Sequence, residues 1–178
     1  MRKLFALAAS ATLLFVGAST AQAQLAKGYS DFSAVVGLGN TGGALAPGAR
    51  YEKIIKDLPD FGGGTLGIMV GANYYSYNDR VPSISWSVKV LPIVGTANYH
   101  FKLPNKKLDA FIGLGLGYQI INCSYNSPQG SFDYCSNSAL YLSARAGGRY
   151  FFQPKMAVYA DIGAGDAVLN AGVSFKLK

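Results

Sequence analysis

The chain has 178 residues, half of them apolar and 14% charged, with a formal charge of +7, 22 glycines, two cysteines and one histidine. That is the length of one domain, and a charged fraction well below the roughly 25% of soluble domains excludes disorder and coiled coil. After the first two dozen residues no apolar run reaches the roughly 18 residues of a helical membrane span, and the mild basic excess argues against nucleic acid as a partner.

Residues 1–23 have the grammar of a secretory signal peptide: Arg2 and Lys3 at the start, an apolar core from Leu4 to Val16, and Ala21-Gln22-Ala23 as a small-residue cleavage site. The mature protein is then expected to be a single domain of residues 24–178, and losing Arg2 and Lys3 lowers the formal charge from +7 to +5.

From Tyr29 onward the dominant signal is period-two alternation broken by turn chemistry, the mark of strands with two unlike faces. The first two strands, near residues 29–39 and 45–55, set Ala34, Val36, Leu38, Ala49 and Tyr51 against Ser33, Gly37, Arg50 and Glu52. Between them GLGNTG spells a dinucleotide-binding pattern, but GALAPGA follows where a helix is required, so the glycines are read as a strand end and a turn. The third strand sets Leu66, Ile68, Val70, Ala72 and Tyr74 against Gly67, Met69, Gly71 and Asn73. In the fourth, residues 83–101, Trp86, Val88 and Val90 stand on the opposite parity to Ile93, Ala97, Tyr99 and Phe101. A bulge or kink near Leu91-Pro92 is therefore expected.

The fifth strand places Leu108, Ala110, Ile112, Leu114, Leu116, Tyr118 and Ile120 on one face. Cys123 and Cys135 then bracket the polar stretch SYNSPQGSFDY. An even cysteine count on an exported chain points to a disulfide closing this loop, worth about 3 kcal/mol by chain entropy. The sixth strand sets Leu140, Leu142, Ala144, Ala146, Gly148, Tyr150 and Phe152 against Ser143, Arg145, Arg149 and Phe151. The seventh opposes Val158, Ala160 and Ile162 to Tyr159, Asp161 and Gly163, and the eighth Leu169, Ala171, Val173 and Phe175 to Asn170, Ser174 and Lys176.

Eight strands of about ten residues fit an all-β, antiparallel, up-and-down transmembrane barrel, which must close because an open edge in lipid leaves backbone groups unpaired. The second face decides between membrane and water. It carries Arg50, Glu52, Arg145, Arg149 and Asp161, while the other face is almost wholly apolar; a soluble ligand carrier would show the reverse. In so narrow a lumen these charges are expected to pair as a structural plug, with an ion path as the alternative. Turns near 56–64, 102–107 and 153–155 are short, whereas the segment 122–138 is long, the asymmetry of periplasmic turns and outer loops. Tyr51, Tyr99, Phe101, Tyr150, Phe152 and Phe175 would form one aromatic girdle, with Tyr74 and Tyr118 towards the other rim.

These signals resemble the small outer-membrane β-barrel family of OmpA and OmpX type across the mature chain. The most specific pieces are YHF ending the fourth strand, ARAGGRYFF in the sixth, MAVYADIGAG in the seventh and the closing NAGVSFKLK. The last is similar to the terminal signal read by a barrel-assembly machine, with the departure that Lys176, Leu177 and Lys178 follow Phe175 where the family usually ends on Phe. The resemblance implies a bacterial outer-membrane location and outer-membrane lipids as surroundings; it implies no activity.

The leading expectation is a barrel that anchors loops for adhesion, host contact or envelope integrity, with no cofactor, no metal and no catalytic residue. The alternatives are a lipid-modifying enzyme at the rim using His100 with a nearby serine, a narrow passive pore, and a secreted soluble barrel with an apolar ligand. His100 is the lone histidine and is read as a hydrogen-bonded structural group.

Overall fold

The computed structural model describes residues 25–38, 45–81, 84–127, 130–132 and 137–178. The leader, the GNTG part of the glycine turn and Cys135 lie outside the described residues. Ten strand segments follow in chain order: β1 (Ser30–Leu38), β2 (Ala46–Leu58), β3 (Gly64–Asn73), β4 (Tyr75–Val81), β5 (Ile84–His100), β6 (Leu108–Ser127), β7 (Gly130–Phe132), β8 (Asn137–Gln153), β9 (Met156–Ala164) and β10 (Leu169–Lys176).

They make eight walls. β3 and β4 are one wall interrupted at Tyr74, both pairing with β5 in continuous register (Ala72 opposite Ile93, Tyr75 opposite Val90). β7 is a short hairpin partner for the end of β6. Each wall pairs antiparallel with its chain neighbours, and β1 pairs with β10 from Asp31 opposite Lys176 to Leu38 opposite Leu169, so the sheet closes into an eight-stranded barrel. Closure leaves no free edge around the barrel itself; at one end β4, β7 and the start of β8 each pair on a single side.

Both chain ends and the short turns 59–63, 101–107 and 154–155 occupy one end, called here the terminal rim; the opposite end is the loop rim. The first of these turns is closed by Gly62 and Gly63 at φ +65° and +68°, a left-handed conformation that a β-carbon disfavours. Two bulges, at Ile54/Lys56 and Phe151/Gln153, also fall at the terminal rim. A β-bulge sharpens the local twist, which suits a wall entering a turn.

The alternation sorts as read. Val36, Ile68, Val70, Ile112, Leu114, Leu142, Val158 and Ile162 are exposed on the outside, while Ser33, Arg50, Glu52, Ser143, Arg145, Arg149, Asp161 and Asn170 are buried inside.

Two expectations are corrected. No bulge occurs at Leu91-Pro92: β5 pairs with β6 without a shift from Ser85 to His100. Val90, Pro92, Val94, Thr96, Asn98 and His100 all face inward on a single parity. The apparent conflict arose because the interior itself changes from polar to apolar along β5, with Val90 joining Ala46, Tyr75 and Ala167 in a buried cluster near the loop rim. Nor is the 122–138 segment a loop throughout, since β6 continues to Ser127 and β8 starts at Asn137. Beyond the apolar band both faces of a strand meet polar surroundings, so the ladder continues while its alternation fades.

Candidate functional site

The interior is stacked in layers. At the terminal rim the segment before β1 folds under the barrel: Gly28 N–H donates to Ile54 O at 2.9 Å and Lys27 N–H to Asp57 Oδ1 at 2.9 Å. This brings Leu25 and Tyr29 into a buried apolar cluster with Ile54, Phe151 and Ala157. Tyr29 lies outside the strands, and its phenol, pushed above its ordinary range by burial and by nearby Asp31, donates to Asp31 Oδ2 at 3.1 Å.

Above it sits the first charged layer, centred on Arg149 of β8. Its Nη1 donates to Asp109 Oδ2 at 2.7 Å, its Nε lies 2.7 Å from Asp31 Oδ2, and its Nη2 pairs with Glu52. His100 joins two of the same acids, Nδ1 at 2.9 Å from Asp109 and Nε2 at 3.0 Å from Glu52. Both ring nitrogens thus face carboxylates, and among the described residues no serine hydroxyl is bonded to the ring. Glu52 Oε1 also accepts a hydrogen bond from Asn98 at 2.6 Å.

A middle layer of Val35, Phe111 and Tyr159 follows. The Arg149 guanidinium carbon lies 5.5 Å and 5.4 Å from the Phe111 and Tyr159 ring centroids, within cation–π range. Tyr159 OH donates to Asp161 Oδ2 at 2.5 Å, leading into the second charged layer.

There Arg145 of β8 pairs with Asp161 of β9 and with Asp166, and Arg50 of β2 pairs with the same Asp166 and donates to Asn73 Oδ1 at 2.6 Å. Asn170 donates to Asp161 at 3.0 Å. Asp166 belongs to no strand: it sits in the 165–168 turn, bent into the barrel after Gly165 at φ +127°. Tyr75 OH donates to the Asp166 carbonyl at 2.6 Å and seals the layer beneath the Ala46, Tyr75, Val90 and Ala167 cluster.

Glycines make room for these side chains. A β-carbon at Gly71 would stand 2.3 Å from Arg50 Cδ, and one at Gly67 would stand 2.7 Å from Glu52 Oε1. Contacts so short do not occur in close-packed interiors, so the space is already filled by the charged groups.

Of the five lumen charges singled out from sequence, Arg149 meets Glu52, Arg145 meets Asp161, and Arg50 meets neither acid but Asp166. Sequence reasoning missed Asp31, Asp109 and Asp166. Asp109 carried a usable signal, since it shares the inward parity of Phe111; Asp166 carried none. Tyr51, Phe101, Tyr150, Phe152 and Phe175 are exposed on the terminal half, and Tyr99 is half-buried with its hydroxyl donated to the Phe61 carbonyl. Cys123 is buried on β6, and there is no free cysteine among the described residues. The described residues also hold no cluster of His, Cys, Asp and Glu arranged for a metal.

The closed antiparallel barrel of eight walls is the fold of the small bacterial outer-membrane barrels of OmpA and OmpX type. Among solved structures, the chain is similar to the N-terminal β-barrel domain of Pseudomonas aeruginosa OprF, with TM-score 0.55 and 15% identity over 85% of this chain and 98% of that one. It is similar also to Ail, the attachment invasion locus protein of Yersinia pestis, in complex with the heparin analogue sucrose octasulfate, with TM-score 0.52 and 14% identity over 85% and 96% of the two chains. The same Yersinia pestis protein in a phospholipid bilayer nanodisc gives TM-score 0.50 and 12% identity over 85% and 100%. At these identities the likeness is one of fold. No protein-family model matches the chain, and no curated protein matches it.

Proposed function

We propose that the mature chain is a bacterial outer-membrane protein whose barrel anchors a surface-displayed sheet and whose lumen is a structural plug, with no catalytic role. The observation that carries this reading is the polarity of the wall: Leu114, Leu116, Leu140 and Leu142 are each more than 60% exposed outside, while among the described residues three arginines and five acids are buried inside. In water that exposed surface would be a large uncovered apolar patch; in lipid it is the surface a barrel needs.

The plug is supported by the layered interior, with apolar clusters at both ends and a charged partner for each buried arginine. Display is supported by strand length. A tilted strand crosses the hydrocarbon in roughly 9 to 11 residues, whereas β5, β6 and β8 run for 17, 20 and 17. The surplus of β5 and β6 lies at the loop rim, where they stay paired and form a platform on one side of the mouth. A Cys123–Cys135 bridge would stiffen the tip of that platform, which lowers the entropy lost on contact. The partner on that side is an extracellular or host ligand; Ail, which has the same fold, has been crystallised with a heparin analogue. On the other side, the closing strand through Phe175 would engage the barrel-assembly machinery.

Fractionation tests the reading. The chain, freed of residues 1–23, is expected with outer membranes and to migrate faster on detergent gels unheated than boiled. Recovery in the soluble periplasm would overturn it.

A further inference from the structure

We propose that the terminal rim is a docking ring for anionic phospholipid headgroups, an inference that rests on the membrane reading above. Lysines are distributed with strong asymmetry along the barrel axis. Lys53 and Lys56 lie in the last part of β2, Lys102, Lys106 and Lys107 in the β5–β6 turn, and Lys155 in the β8–β9 turn. Lys27, Lys176 and Lys178 belong to the two chain ends, which lie side by side because Ser30 N–H donates to Lys178 O. Outside the leader one lysine lies elsewhere, Lys89 on β5. The exposed acids at this rim are Asp57 and Asp60, so a large positive excess remains.

Height along the wall selects the partner. Lys53 stands two residues beyond Tyr51 on the same outward face, Lys102 follows Phe101, and Lys155 lies three residues beyond Phe152. Exposed aromatic rings at a barrel rim mark the boundary between hydrocarbon and headgroups. Ammonium groups on four-carbon stems just beyond them reach the level of lipid phosphates. A cell-wall polymer or an acidic protein, standing farther out, would meet Lys106 and Lys107 in the turn but not Lys53.

A second feature agrees. A cleft of about 350 Å³ opens at this rim, lined by Lys102, Asn105 and Lys106 together with Leu58, Leu103 and Leu108. A lining that combines two lysines with leucines suits a phosphate attached to a glycerol and its acyl chains. Of the acids lining the cleft, Asp109 is paired with Arg149, and Asp57, which accepts the Lys27 backbone N–H, is the one exposed carboxylate set against Lys102 and Lys106.

The test is reconstitution of the mature chain into phosphatidylcholine vesicles with and without a minority of phosphatidylglycerol. Heat-modifiable migration is read first, then the preference of spin-labelled phosphatidylglycerol over phosphatidylcholine for the barrel surface. A preference of about fivefold is expected, the size of one lysine's attraction to an anionic surface. It should fall markedly in Lys53→Gln/Lys102→Gln/Lys155→Gln, vanish in high salt, and persist in Lys89→Gln. Absence of preference in the unmodified protein, or an unchanged preference in the triple variant, overturns the ring. So does a missing lipid preference together with retention on purified peptidoglycan that Lys106→Gln/Lys107→Gln abolishes. Failure to insert into phosphatidylcholine would instead overturn the membrane reading, since that step needs no anionic lipid.

Discussion

Arg149 and Glu52 reach each other from opposite walls of the barrel: β8 and β2 are four walls apart in either direction, and the two side chains meet in the lumen as a buried ion pair. The second charged layer repeats the device, Asp166 joining Arg145 of β8 to Arg50 of β2. The interior is thereby braced across its diameter twice, between the same two walls.

Removing one brace has a calculable consequence. Arg149→Met leaves Asp31, Glu52 and Asp109 buried without their shared cation, and breaking a buried pair on one side costs about 3–5 kcal/mol. Urea unfolding of the vesicle-inserted protein should show that loss. Glu52→Gln added to Arg149→Met should recover part of it, because one of the carboxylates that lost the guanidinium is then gone; a purely additive double variant would contradict the pairing.

Depth in the wall gives a second expectation. Val158 is half exposed and pairs with Val173, which in turn pairs with Ala34, in the middle of the apolar band, whereas Leu177 is exposed at the terminal rim. Val158→Arg should weaken folding into bilayers by about 2–4 kcal/mol, and Leu177→Arg by about 0–1 kcal/mol. Equal penalties in vesicle refolding titrations would contradict the placement of the band.

The Asp166 turn governs the loop-side closure. On the proposed plug, planar-bilayer recording of the unmodified protein should show no steady conductance. Asp166→Ala frees Arg50 and Arg145 from their shared acid and removes the anchor of the 165–168 turn, so discrete channel openings are expected there. Large regular channels in the unmodified protein would refute the plug.

The cysteines should be dispensable for the barrel. Cys123 lies on β6 opposite Val88, in the part of the sheet beyond the two charged layers. Reduction, or Cys135→Ser, should leave the heat-modifiable band and the urea midpoint unchanged and loosen only the platform tip, visible as faster protease cleavage between residues 123 and 137. A variant that forms no barrel would make this segment part of the folding core.

The parity of most walls is legible because a residue step of two is imposed by the strand itself, as β8 shows from Leu140 to Phe152. Asp31 and Asp109 escaped attention although each sits on an inward position; a single acid at a strand start looks like ordinary solvent chemistry until its partner across the barrel is known. Asp166 was illegible for a deeper reason, since a turn has no alternation and its inward bend depends on Gly165 and on arginines from distant walls. The fourth strand misled in the opposite way. The parity change from Val88 and Val90 to Ile93 and Ala97 points to a bulge only if apolar means outward, and that equation fails where the lumen has its own apolar layer.

The seam between β1 and β10 carries a consequence for assembly. Ser33 and Ser174, 141 positions apart, share a hydrogen bond of 2.5 Å across it. A cylinder stitched by its first and last strands cannot be sealed in instalments during synthesis; until the final residues arrive, both margins expose unpaired backbone that in water invites aggregation. On the membrane reading proposed above, the seam then closes late, where lipid can cover the outer surface.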